Sequence, residues 1–292
     1  MFKSNDGAFR IMQLTDIHIG EYPFSSEDEK TFSALTHAVQ AEKPDLIMIT
    51  GDLLWTDGVK EPEHGYRALI DLFNRLNYPI AVTYGNHDSE ETLTRSSLRQ
   101  LEKGFNHRVE KMNVFVDHQD KECYTLEVGT KNDIQHVLYV FDSGDNSPLV
   151  DLEGYDWVSP EQIDWYERTH QQYLQNVGQT VDLVFLHIPL PEYKNAGEHI
   201  LTGQFWEQNP RVAAPQLNTG LFSRIRYNQH VAGIFCGHDH DNNFDGTFMG
   251  THLIYGNVSG YNCYGVLPRG YRLITLDEDG MRTQTVPYQA SL

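Results

Sequence analysis

The chain has 292 residues, 39 % of them apolar and 12 % aromatic, with no Pro- or Ser-rich linker, low-complexity tract or repeat, so a single domain over 1–292 with a sizeable core is expected. Lys and Arg number 22 against 41 Asp and Glu, and a net charge of −19 repels a phosphate backbone, which argues against a nucleic-acid partner. No uncharged apolar stretch approaches about 20 residues, no apolar run opens the chain, and Cys123, Cys236 and Cys263 resemble neither a disulfide framework nor a Cys-type zinc site; a cytoplasmic protein without a membrane span is expected.

Phe9 to Thr15 reads as the first strand and ends in Asp16-Ile17-His18-Ile19-Gly20. Ser25 or Ser26 caps a helix to about Gln40, with Phe32, Leu35, Ala38 and Val39 at helical spacing, and Pro44 stops it. Leu46 to Thr50 is a continuous apolar run of the buried-strand type, ending in Gly51-Asp52. A second helix covers Gly65 to Leu76, Pro79 to Tyr84 is a strand ending in Gly85-Asn86-His87-Asp88, and a third helix is expected over Glu90 to Lys103. This alternation predicts an α/β layered fold with largely parallel pairing. Met112 to Val116, Tyr124 to Val128 and His136 to Phe141 then follow as strands without intervening helices, which predicts a mixed sheet. Ser159-Pro160-Glu161 opens a helix to about Leu174, with Pro at its first position. Val181 to Leu186 is a buried strand ending in His187, Leu190 to Thr219 has weak periodicity, and a short helix spans Leu221 to Tyr227. Val231 to Cys236 is a strand ending in Gly237-His238-Asp239-His240, and the remainder, including Thr247 to Tyr255 and Tyr271 to Leu276, reads as closing strands.

In open α/β sheets ligands gather beyond the carboxyl ends of the strands. Those ends here carry Asp16 and His18, Asp52, Asn86 and His87, His187, and His238 and His240. Each alone has an ordinary reading as a turn residue or a core histidine; all of them in this order, each directly after an apolar strand, are hard to obtain by accident. Hard and borderline nitrogen and oxygen donors suit Mn, Fe or Zn, and the lack of cysteine among them argues against a soft-metal site. They outnumber the needs of one tetrahedral ion, so a two-metal centre with a shared carboxylate is expected; ions ~3.5–4 Å apart polarise a phosphoryl oxygen and acidify water.

The series Asp16-x-His18, Gly51-Asp52, Gly85-Asn86-His87-Asp88, His187 and Gly237-His238-x-His240 resembles the signature of the calcineurin-like metallophosphoesterases. The resemblance implies two mixed β-sheets packed as a sandwich and flanked by helices, with a dimetal site at the strand ends. It implies that Asp16, His18, Asp52 and His240 hold one metal, and that Asp52 bridges to a second held also by Asn86, His187 and His238. His87 would be no ligand but the electrostatic stabiliser and general acid, with Asp88 orienting it. The implied activity is a dimetal phosphoesterase acting through a metal-bound hydroxide on a small phosphorylated substrate, with a phosphomonoester favoured. A cyclic nucleotide or other phosphodiesterase, or a non-catalytic scaffold on the same fold, is the alternative.

Three stretches, Tyr139 to Asp145, Phe185 to Glu192 and Tyr255 to Tyr261, are similar to a purple-acid-phosphatase-like branch. The purple enzymes carry a tyrosine ligand three positions after the bridging Asp; Trp55 stands there in this chain, so a centre without a tyrosine-bound ferric ion is expected. Substrate contacts are expected from Trp55, from Tyr193, Phe205 and Trp206 in the Leu190–Thr219 segment, and from the stretch around Tyr261, Asn262 and Tyr264, whose aromatic rings could equally pack the domain's edges.

Overall fold

Alternation within the strands decides the layering. Along β1 (Phe9–Leu14), Phe9 and Ile11 face one way and Met12 and Leu14 the other; β2 (Leu46–Thr50) repeats this with Leu46 and Met48 against Ile47 and Ile49. A strand apolar on both faces must be covered on both. The computed structural model describes residues 2, 7–130 and 133–289.

Two sheets result. The first has the order β13-β12-β1-β2-β3, with β3 (Ile80–Thr83), β12 (Gly270–Asp277) and β13 (Gly280–Pro287); β1, β2 and β3 are parallel and β12 and β13 antiparallel to their neighbours. The second has the order β4-β5-β6-β7-β9-β11-β10-β8. Its members are β4 (Met112–Val116), β5 (Glu122–Thr130), β6 (Asp133–Phe141), β7 (Asp182–Phe185), β8 (Ile200–Thr202), β9 (Val231–Cys236), β10 (Asp245–Phe248) and β11 (Thr251–Tyr255), with β6, β7, β9 and β11 parallel.

Between the sheets, Phe9, Ile11 and Met48 pack with Leu138, Val140, Phe185 and Phe235. On the outer face of the first sheet lie α1 (Ser26–Glu42), α2 (Glu63–Leu76) and α3 (Arg95–Glu102); on that of the second lie α4 (Pro160–Asn176), α5 (Tyr193–Ala196) and α6 (Leu221–Asn228). The expected two-sheet sandwich flanked by helices is what forms. Each fully buried aliphatic or aromatic side chain in these layers contributes about 1.5–3 kcal/mol. Polar staples set the sheets against each other: Gln13 Nε2 donates to Thr50 Oγ1 (2.9 Å) and to Cys236 O across the sandwich (3.1 Å). Arg272, wholly enclosed, donates to Tyr255 O (2.7 Å) and Asn243 O (2.6 Å), and burial brings its pKa down to about 10.

Three elements differ from expectation. The helix expected from Glu90 starts only at Arg95, because Asn86–Ser89 forms a single 3₁₀ turn and Thr94 caps the helix, its Oγ1 accepting Ser97 N (3.1 Å). The strand expected over Thr247–Tyr255 is the hairpin β10–β11, folded at Met249-Gly250 with φ of 49° and 81°. The aperiodic Leu190–Thr219 segment carries α5 and β8, the latter pairing with β10. Among the described residues no helix is long and apolar enough to cross a membrane.

Candidate metal centre

The carboxyl ends of β1, β2 and β3 meet those of β7 and β9 at one end of the sandwich. The loops after β1 and β2 are zipped together: Ile17 N and His18 N donate to Asp52 O (2.8 and 3.0 Å), and Ile19 N to Leu53 O (3.0 Å). This forces Asp16, His18 and Asp52 into the left-handed region, at φ of 53°, 52° and 51°, and His238 follows at 81°. Such backbone costs about 1–3 kcal/mol per residue and persists where the surroundings over-determine it. Gly85 permits a close approach to the bridging position; a Cβ there would stand 2.1 Å from Asp52 Oδ1.

Two donor groups form, both buried. In the first, His18 Nε2 and His240 Nε2 are 3.1 Å apart, and Asp16 Oδ1 is 3.4 Å from His240 Nε2. In the second, His187 Nε2 is 3.2 Å from Asn86 Oδ1, and its ring centroid lies 5.3 Å from that of His238. Asp52 stands between them, with Oδ2 3.2 Å from His187 Nε2 and 3.5 Å from His18 Nε2. The first sheet thus supplies Asp16, His18, Asp52 and Asn86, and the second His187, His238 and His240.

Hydrogen bonds on the far side fix the imidazoles. His187 Nδ1 donates to Thr50 O (2.9 Å), His240 Nδ1 to Tyr264 O (3.2 Å) and His238 Nδ1 to Asp239 Oδ1 (3.1 Å). In the neutral ring each then turns a bare Nε2 lone pair inward, the form a metal needs. His238 Nε2 and His18 Nδ1 are buried with no hydrogen-bond partner. Burial opposes charge on His187, but Asp52 outweighs it and raises the pKa to about 9. Burial also pushes Asp16 up, yet His240 and its hydrogen bond bring it down to about 2. Burial lowers His18 to about 3 despite Asp52 nearby, leaving it a neutral nitrogen donor. Ionised carboxylates, converging imidazole nitrogens and an orphaned nitrogen call for positive charge in this pocket, and the donor set fits two metal ions.

His87 lies beside the first group, 5.3 Å from His18 between ring centroids. Its backbone N–H donates to Asp52 Oδ1 (2.9 Å), while its Nδ1 is 2.8 Å from Glu90 Oε1. Trp55 stacks on the ring at 4.4 Å and 21°. Burial lowers the His87 pKa, but Glu90 and Asp52 outweigh it and the net shift is upward. Asp88 does not orient His87, contrary to expectation. The 3₁₀ turn carries its carboxylate beneath the loop, where it accepts Gly85 N (2.8 Å), Asp52 N (3.0 Å) and Leu54 N (2.9 Å). Burial and the Asp52 charge raise Asp88 to about 7. Glu90 is the partner instead, and a three-residue spacing in a helical turn is a signal that could have found it.

The expected substrate contacts divide. Trp55 is at the site. Tyr193 is not: its ring is in the core and its hydroxyl donates to Ile234 O (2.7 Å), because α5 turns it inward. Trp206 is half-exposed on the rim, its backbone N–H donating to Asp241 O (3.0 Å). Tyr261 is covered by the Lys30 ammonium at 3.8 Å and pairs with Tyr288. Tyr264, from the stretch expected to supply contacts, is at the site, stacked on His240 at 4.1 Å, and a ring that was not singled out, Tyr155, stands edge-on to His238 at 4.3 Å. Cys263, set aside as no ligand, lies in a group with His18 and His240 whose ligand atoms are within 4.8 Å of one another.

This fold and this convergence of carboxylates, amide and imidazoles at the strand ends define a metallophosphoesterase scaffold. The chain belongs to the calcineurin-like phosphoesterase family, whose sequence profile matches residues 9–242. It is 29 % identical over 297 residues to the Arabidopsis thaliana protein named "Probable inactive purple acid phosphatase 29", covering 90 % of this chain and 74 % of that one. It is 29 % identical over 270 residues to the Saccharomyces cerevisiae protein "Phosphatase DCR2", covering 83 % of this chain and 46 % of that one. The crystal structure of a dimetal phosphatase from Danio rerio superposes with a TM-score of 0.66 over 97 % of this chain and 100 % of that chain at 13 % identity, a likeness of fold.

Proposed function

We propose that the chain is a dimetal-dependent phosphomonoesterase. The observation that carries this reading is that the donor cluster is accompanied by a held acid, His87, with Glu90 on Nδ1 at 2.8 Å and Nε2 left as its free edge. In this reading Asp16, His18 and His240 would hold one ion and Asn86, His187 and His238 the other, with Asp52, which stands between the two groups, available to either. Bound ions supply Lewis-acid charge to the phosphoryl oxygens and acidify a water.

The chain's own residues do the rest. His87, protonated, stabilises the phosphoryl oxygens and gives its Nε2 proton to the departing alkoxide. Glu90 fixes the tautomer and favours the charged ring, and Trp55 covers one face of it. Thr56 locks the turn that carries His87: its Oγ1 donates to His87 O (2.6 Å) and accepts Glu90 N (3.0 Å). Arg95, at the start of α3, ties the same turn to the loop after β6 of the second sheet, donating to Ser89 Oγ (2.7 Å), Gly144 O (2.9 Å) and Asp142 Oδ2 (2.9 Å). Asp88 holds the Asp52 backbone.

The preference for a monoester is supported by the yeast relative's name as a phosphatase. The plant relative's name favours a second reading, a scaffold that has lost turnover, against which stand the intact donor cluster and His87. Hydrolysis of a chromogenic phosphomonoester beside the matching diester, with Mn²⁺ and with a chelator, tests both. Chelator-sensitive turnover, faster on the monoester, is expected, and Asp52→Asn should abolish metal binding and turnover together. No turnover of either ester by protein carrying two ions would overturn the enzyme reading in favour of the scaffold.

A further inference from the structure

We propose that Cys263 is a metal ligand, its sulfur joining His18 and His240, beside the Asp16 and Asp52 carboxylates, in a mixed nitrogen, oxygen and sulfur site that takes a borderline-soft divalent cation such as Zn²⁺. The proposal rests on the dimetal reading above and adds a donor from outside the strand-end motifs.

Cys263 is half-buried, and its Sγ, with one ligand atom each from His18 and His240, falls in a group within 4.8 Å. With Zn–S of about 2.3 Å and Zn–N of about 2.0–2.1 Å, ligand atoms across a tetrahedral angle are about 3.5 Å apart, so a movement of about 1 Å closes the site. Independently, the two imidazoles already point to an ion: both are buried, their Nε2 atoms converge at 3.1 Å beside the Asp16 and Asp52 carboxylates, and His240 is fixed from behind by Tyr264 O.

The segment bearing the cysteine is tied to both histidines. Asn262 Nδ2 donates to His18 O (3.2 Å), and Tyr264 accepts from and stacks upon His240. Arg269 donates to Cys263 O and Tyr264 O (both 2.8 Å), and its Nη2 lies 3.9 Å from Cys263 Sγ, so a positive charge stands beside the sulfur. The thiol now donates to Gly260 O (3.4 Å). On metal binding that S–H bond breaks, the S–metal bond forms, and the proton leaves to solvent. A sulfur donor on one ion only makes the two sites unequal: this one favours Zn²⁺ over Mn²⁺, while the Asn86, His187 and His238 site keeps only nitrogen and oxygen.

The test uses the full chain loaded with Co²⁺. A sulfur-to-cobalt charge-transfer band is expected in the near ultraviolet, absent from Cys263→Ser while the cobalt d–d bands remain, with Zn²⁺ affinity at one site falling about 10–100-fold or more. Should Cys263→Ser fail to fold, the unaltered protein decides. Cys123 and Cys236 are buried, so a chromogenic disulfide labels Cys263, and Zn²⁺ should slow that labelling. Two bound cobalt ions without a sulfur band, or labelling indifferent to Zn²⁺, would overturn this proposal alone. Failure to take up any metal would overturn the dimetal reading as well.

Discussion

Replacing Glu90 by Gln separates positioning of the acid from its presence. The carboxylate accepts on both oxygens, His87 Nδ1 at Oε1 (2.8 Å) and Asp57 N at Oε2 (3.0 Å). A glutamine has one acceptor oxygen, so it keeps one contact and loses the other. The side chains of His87 and Glu90 are 26 % and 20 % exposed, so solvent screens the pair only in part. A charge-assisted hydrogen bond of this kind contributes about 1.5–3 kcal/mol, which corresponds to roughly 10- to 100-fold in kcat where protonation of the leaving group limits the rate. Glu90 raises the His87 pKa, so the protonated ring persists to higher pH and is lost as pH rises through that value. Without Glu90 the loss comes earlier, and the alkaline limb of the kcat profile moves to lower pH. The assay compares kcat–pH profiles on an alkyl phosphate, which needs the proton, and a nitrophenyl phosphate, which needs it less. His87→Ala should keep the metals and show the same selective loss. An unshifted limb and an unchanged alkyl-phosphate kcat in Glu90→Gln would refute the argument.

Gly85→Ala adds a Cβ 2.1 Å from Asp52 Oδ1, 2.6 Å from Asp52 N and 2.7 Å from His187 Cδ2; the backbone contact cannot swing aside, so elemental analysis should find metal content reduced, with about 1–3 kcal/mol of stability lost. Tyr193→Phe removes a core hydrogen bond worth about 1 kcal/mol, so turnover should be unchanged and melting should fall by about 1–2 °C in calorimetry. With Trp55 stacked on His87, iron-loaded protein should show no visible band that vanishes on replacing a tyrosine, as spectra of tyrosine variants would check.

The convergence of the strand-end carboxylates, amide and imidazoles was legible because they follow apolar strands. A run such as Leu46 to Thr50 fixes where the strand ends, and parallel pairing brings successive carboxyl ends together. The sandwich was legible from the resemblance, and its register from alternation such as Phe9/Ile11 against Met12/Leu14. What failed depended on a turn or on tertiary placement. Asp88 is adjacent to His87 in sequence but is rotated under the loop by one 3₁₀ turn, while Glu90, farther along the chain, comes round to face it. Tyr193 sits in a stretch without periodicity, and a single helical turn was enough to bury it. Tyr155 and Cys263 reach the site from loops whose paths no local pattern encodes.

The division of donors between the sheets ties metal uptake to assembly. Asp16, His18, Asp52 and Asn86 belong to one sheet and His187, His238 and His240 to the other, so neither half alone offers a complete coordination shell. Ions held by both sets would therefore act as a clasp across the seam: whatever affinity the folded protein has for them would be subtracted from the ease with which the sheets come apart. At a free concentration 100-fold above the dissociation constant, one ion adds about 2.7 kcal/mol to the folded state. Removal of bound ions would then lower the stability of the whole sandwich, and not of the site alone.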